Sequence, residues 1–147
     1  MVAGMCTALA TATIGLAASS HATPFSEQFQ SPSGDISCNL VYYPPLDQRS
    51  LSKNFVQCDI ANQSWAPPQP PPQGRTDATS TFVLMRGQSP IVGYRPGTFA
   101  AVGPMLDGAQ APSAGAITCS SEESAMKCTD VSTGHFFRVS RESYQLG

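Results

Sequence analysis

From residue 36 onward, short apolar runs alternate with clusters of Gly, Pro, Asn and Ser, the pattern of an all-β chain. The runs predict strands at Ile36 to Tyr43, Asn54 to Ile60, Thr81 to Arg86, Pro90 to Tyr94, Ala116 to Ser120, Met126 to Asp130 and His135 to Val139. Ile, Val, Thr, Phe and Tyr dominate these windows, as half-buried pleated surfaces prefer. No window of helical length keeps an apolar 3.6-residue period. Helical character is expected only at the end, where Ser140 can cap a short turn through Arg141-Glu142-Ser143-Tyr144. Glu142 would then sit in the first turn, where the helix dipole favours a negative charge. The expected fold is a small disulfide-stapled antiparallel sandwich or partly open barrel, with a short C-terminal helical turn.

Two segments interrupt the strands. Tyr43-Pro44-Pro45-Leu46 through Lys53 reads as a loop. Residues 66–74, Ala66-Pro67-Pro68-Gln69-Pro70-Pro71-Pro72-Gln73-Gly74, read as extended polyproline, because proline cannot donate to a ladder. A stiff surface connector is the expectation. Such a stretch can also dock in a partner's aromatic groove.

Four cysteines punctuate the strand windows in matching settings. Gly34-Asp35-Ile36-Ser37-Cys38 reappears as Gly115-Ala116-Ile117-Thr118-Cys119, and each is followed by a second cysteine in a short run, Cys58 and Cys128. Ser120 to Ser124 suits a turn, so antiparallel strands on either side would bring Cys119 and Cys128 within disulfide reach. Cys38 and Cys58 would pair in the same manner around a longer loop. Four cysteines allow three connectivities, and the local pairing is the expectation. Each such loop closure stabilises by about 3 kcal/mol in the chain-entropy model. The spacings are too wide for the close pairs of structural zinc, and no C-x-x-C redox motif is present. No metal or cofactor is therefore expected. Two copies of a hairpin fall short of the three stacked units of a solenoid.

Paired cysteines on strands point to an oxidising compartment, and the N-terminus agrees. Residues 1–22 are apolar and rich in small residues, without an acidic, Lys or Arg side chain, and end in Ser20-His21-Ala22. They read as a signal peptide whose basic n-region is missing, and Cys6 goes with it. The run from Val2 to Ala18 is short for a membrane span. Residues 23–147 then form one secreted β domain with the Pro-rich connector at 66–74. Only 12% of the chain is charged, against about 25% for an ordinary domain. Lys and Arg are scattered singly, so neither nucleic acid nor an anionic membrane surface is expected as a partner. A cell-envelope component or protein is the partner class that the address offers.

Chemistry is thinly supplied. His135 is the one histidine beyond the leader, and a hydrolase would need it beside Asp130 or Asp107 and some serine. No G-x-S-x-G elbow surrounds any serine, and Ser132-Thr133-Gly134-His135 reads more simply as a turn. Glu122 and Glu123 fall on an expected hairpin tip, where carboxylates stay solvated and ionised. Asn62-Gln63-Ser64 matches a glycosylation sequon, a pattern common by chance. Trp65 is expected to cap a core edge.

Phe29-Gln30-Ser31-Pro32-Ser33-Gly34-Asp35-Ile36-Ser37-Cys38, Cys58-Asp59-Ile60 and Trp65-Ala66-Pro67-Pro68 resemble a family of small exported mycobacterial and other actinobacterial proteins of unknown function. The segments Ile117-Thr118-Cys119, Cys128-Thr129-Asp130 and Thr133 to Tyr144 fit the same pattern. The stretch from Arg75 to about Gly103 fits it weakly, because relatives carry a further cysteine pair there. This cysteine-free centre is expected to be the least constrained part of the fold. The resemblance implies export and a cysteine-stapled domain, and carries no active site. The resulting expectation is a secreted or envelope-associated, non-enzymatic binding or structural module; the alternative is a small secreted hydrolase using His135. Intact mass of the exported protein before and after reduction, with alkylation, should report two disulfides from Cys38, Cys58, Cys119 and Cys128 and no free thiol.

Overall fold

Strand alternation is realised almost throughout the computed structural model, which describes residues 23–47, 49, 52–108, 110–122 and 124–147. The expected signal peptide and Cys6 lie outside the described residues. The strands are β1 (Phe25–Gln30), β2 (Ile36–Tyr43), β3 (Lys53–Ile60), β4 (Ala78–Met85), β5 (Ile91–Pro96), β6 (Ser113–Ala114), β7 (Ile117–Ser121), β8 (Ala125–Asp130), β9 (Phe136–Ser140) and β10 (Tyr144–Leu146). They form two five-stranded antiparallel sheets, β1-β2-β3-β4-β5 and β10-β9-β8-β7-β6. Each sheet is an unbroken meander. The second lies under the first, β6 beneath β2, β7 beneath β3, and β8 and β9 beneath β4. The sheets stay separate, so the fold is a sandwich and no barrel closes.

The chain thus draws the same five-strand meander twice, and the correspondence reaches individual side chains. Cys38 stands directly opposite Cys58 on strands two and three of the first meander, and Cys119 opposite Cys128 on strands two and three of the second. Disulfides join both pairs, each with Cα atoms 4.1 Å apart. That separation belongs to the narrow pairs of an antiparallel ladder, where side chains approach most closely. On strand four, Phe82 lies opposite Cys58 and Phe137 opposite Cys128. The two phenylalanine rings meet across the sheets at 5.4 Å. Ile36 and Ile117, each the first residue of strand two, are both fully buried.

Inner positions follow a period of two. On β3 these are Asn54, Val56, Cys58 and Ile60; on β4, Ser80, Phe82 and Leu84. The opposing sheet contributes Ile117, Cys119, Met126, Cys128, Phe137 and Val139 to one shared core. The cysteine-free centre is therefore not the loose part of the fold. Phe82 and Leu84 lie within it at 0% exposure.

The C-terminal helical turn is replaced by a hairpin. Ser140 does cap a turn, its Oγ accepting from the amides of Glu142 and Ser143. Its own amide, however, donates to Ser143 O, and Tyr144 pairs back onto Val139. A serine cap favours a tight turn as readily as a helix N-terminus. Here Tyr144 finds aromatic partners in Trp65 and Phe82 at 4.8 and 5.5 Å. Strands β1 and β6 were also not foreseen, since Glu27 interrupts the apolar phase of the first and the second is two residues long.

Polar ties bind the sheets at their margins. Asn54, buried at an inner position of β3, donates to Val41 O in its own sheet at 3.1 Å and to Ala114 O in the other at 2.9 Å. Its Oδ1 accepts the Ala116 amide at 2.8 Å. Gly115 must lack a side chain here. Its φ is +57°, and a Cβ would meet Asn54 Oδ1 at 2.6 Å. The long β5–β6 connection crosses the outside of the first sheet, where Ser37 Oγ accepts from Val102 N and Gln30 bonds Pro104 and Leu106. Gly103 is obligatory on that path, because a Cβ would lie 2.2 Å from Gln28 O. Replacing Asn54 with Ala would remove a hydrogen-bond partner from the backbone groups of Val41, Ala114 and Ala116, so urea unfolding of the variant should show a loss of about 1–3 kcal/mol.

Candidate functional site

The two meanders differ most informatively where the first has Ile60 and the second has Asp130. Ile117 of β7 faces Asp130, just as Ile36 of β2 faces Ile60. Asp130 is fully buried yet charged. Its Oδ2 accepts the Gly87 amide at 2.6 Å, and its Oδ1 accepts the Ser132 amide and hydroxyl at 2.9 and 2.6 Å. Burial alone would push this carboxyl up. The Gly87 amide, the Ser132 hydroxyl and amide, and the Thr133 hydroxyl outweigh it and hold the pKa at about 2 instead of 3.8. Gly87 belongs to the β4–β5 hairpin and Ser132 to the β8–β9 turn, so one carboxylate fixes two turns from opposite sheets against each other.

These turns wall an open groove of about 1050 Å³ at that end of the sandwich. Ser52, Lys53, Asn54 and Phe55 of the β3 end line one side, and Met85, Arg86, Gly87 and Gln88 of the hairpin line the other. Ser132 closes it from the second sheet. Phe55 and Met85 stand directly opposite each other on the outer face of the first sheet. Lys53 and Arg86 are exposed at the rim. Among the described residues, ion pairs form between Arg95 and Asp59 and between Arg138 and Glu122, and neither rim cation takes part in one. The volume is comparable with that of sites that hold a small organic ligand, and its lining sets Phe55 and Met85 among polar and charged side chains.

A smaller polar cleft of about 250 Å³ lies near Asn62, Gln63, Asp77, Thr79 and Thr98. Its polar groups serve the fold. Asn62 donates to Asp35, Gln63 to Ser80 and Thr79 to Gly97 O.

The residues singled out by sequence are placed as follows. All four cysteines are in disulfides within the core, so none is available as a thiolate. His135 sits in the β8–β9 turn with Nδ1 3.2 Å from Gly147 O, and its amide bonds Thr133 Oγ1. The Asp130 carboxylate is spent on Gly87 and Ser132, while Asp107 lies in the distant β5–β6 connection. The structure therefore does not assemble a serine, His135 and a carboxylate into a triad. Glu122 is exposed at its hairpin tip but is not merely solvated. Its hydrogen bond from Arg138 holds its carboxyl below the usual range despite slight desolvation. Glu123 lies outside the described residues. Trp65 is half-buried against Phe82 and Tyr144 and donates to Ser140 O at 3.0 Å, so it seals the core edge and ties the β3–β4 connection to the second sheet. Pro67 is buried behind it, while the prolines from 68 to 72 are exposed.

Sequence reasoning did not single out Lys53, Phe55, Met85 or Arg86. A signal was present in β3, where the expected phase inverts. Polar Asn54 occupies an inner position and apolar Phe55 an outer one. Both inversions mark the groove.

No protein-family model matches this chain, and neither a curated protein nor a solved structure matches it significantly.

Because the Asp130 pKa is depressed in the folded state, its contribution to stability is complete above the unfolded value near 3.8 and disappears as pH falls towards 2. A depression of that size corresponds to roughly 2–3 kcal/mol. Urea unfolding as a function of pH should show this loss in the wild type, whereas Asp130→Asn should be weaker at neutral pH and flatter across that window.

Proposed function

We propose that this chain is an extracytoplasmic, non-enzymatic binding module whose ligand surface is the groove between Lys53 and Arg86. The two disulfides are compatible with an oxidising, extracytoplasmic address. The apolar leader-like residues 1–22 and the resemblance to small exported actinobacterial proteins support the same address.

One observation carries the binding assignment. The groove leaves apolar Phe55 and Met85 open to a ligand while its walls are tied by the buried Asp130 carboxylate. A site whose walls are fixed before the ligand arrives avoids part of the ordering cost of association. The hydrolase alternative finds no such support, since His135 is bonded within its own turn and to the C-terminal residue.

Backbone amide shifts of the disulfide-bonded protein, titrated with fractionated envelope extract, test the assignment. Changes should concentrate on Phe55, Met85, Gly87 and Ser132 and be lost in Met85→Asp. Changes confined to other parts of the sandwich would defeat the groove as the site. In parallel, His135→Ala should leave this response unchanged.

A further inference from the structure

The groove has a direction. Lys53 and Arg86 both line the groove at the hairpin end of the first sheet, Lys53 two residues before Phe55 on the same face and Arg86 immediately after Met85, where its amide donates to Asn54 O. From there the outer face continues in apolar residues. Phe55 opposes Met85, and the next pair of β4 and β5 on that face is Val83 and Ile91. Ile91 is 56% exposed and Met85 36%. An apolar track about two strand repeats long therefore leads away from a pair of cations.

Of the acidic groups around it, Asp59 is ion-paired, while Asp130 and Asp47 accept hydrogen bonds from neutral groups. Asp130 holds Gly87 and Ser132, Asp59 on the same face is paired with Arg95 at 2.7 Å, and Asp47 accepts the Arg49 amide. Asp130 keeps its charge beside the groove, and among the described residues neither Lys53 nor Arg86 takes part in an ion pair. Apolar residues in line on an outer sheet face, with positive charge gathered at one end, complement a molecule with an anionic head and an apolar tail.

We propose that the groove binds a single-chain anionic amphiphile, an alkyl carboxylate in its simplest form. Its head lies between Lys53 and Arg86, and its tail follows Phe55, Met85, Val83 and Ile91. This rests on the groove being the binding surface, and it adds the ligand's class and orientation. The tail supplies affinity through burial, while the rim cations select the charged head.

The test uses the full disulfide-bonded chain and a fluorescent probe, dansylaminoundecanoic acid, with its methyl ester as the uncharged twin. Binding of the acid should saturate, and the ester should bind about tenfold more weakly. The double charge reversal Lys53→Glu with Arg86→Glu should weaken the acid about tenfold and leave the ester unchanged. Met85→Asp and Ile91→Asp should weaken both probes. All four positions are at the surface, and an unchanged urea midpoint confirms that each variant is folded.

Equal binding of acid and ester, or an acid affinity untouched by the charge reversal, overturns the proposal. So does a protein that binds anionic vesicles but no free acid, or neither probe. The underlying groove assignment fails separately, when the amide shifts caused by a bound probe map away from Phe55 and Met85. Shifts that map to the groove without discrimination between acid and ester overturn only the anionic head.

Discussion

Everything in this molecule depends on burying the inner faces of two similar meanders against each other. A five-stranded sheet with one apolar face has no stable existence in water until that face is covered. Here each covers the other. At the centre, Phe82 and Phe137 meet at 5.4 Å, and each stands beside a half-cystine of its own sheet. The disulfides restrict the unfolded chain and hold strands two and three of each meander together. The phenylalanine pair joins what the disulfides cannot, since neither disulfide crosses between the sheets.

Polar ties at the margins add to that contact between the sheets. Asn54 reaches the β6–β7 turn, Trp65 reaches Ser140, and Asp130 reaches the β4–β5 hairpin. Each satisfies backbone groups that burial would otherwise leave unpaired, a cost larger than the net gain of an ordinary hydrogen bond. The repeated architecture makes one of these ties unusual. Asp130 stands where the first meander keeps Ile60, so a buried carboxylate replaces an aliphatic side chain. That replacement fixes the groove walls. The site arises where the second copy departs from the first.

Most strands were legible because alternating apolar residues and turn clusters suffice to mark them. Ile36 to Tyr43 was read with its observed limits, and six others were found within a few residues. Strand β10 was hidden because Ser140 can cap either a helix or a tight turn, and the choice rests on where Tyr144 packs. The firmness of the centre was hidden too, since counting cysteines misses what Phe82 and Leu84 contribute by burial. Of the site, only the phase inversion at Asn54 and Phe55 could be read in advance. Lys53 and Arg86 look like scattered surface charges until the β3–β4 pairing brings their neighbourhoods together.

The sequence by itself determined the all-β class, the placement of most strands and the likeness of its two cysteine hairpins. These follow from local rules: side-chain alternation, turn chemistry and the reach of a disulfide. Tertiary structure decided that the likeness extends over two whole meanders and that they face each other across one core. It also decided that Asp130 would be buried and that Phe55 and Met85 would line a groove beside Lys53 and Arg86. Those outcomes depend on register and stacking between segments far apart in the chain. The energies that fix them come from contacts no local window contains.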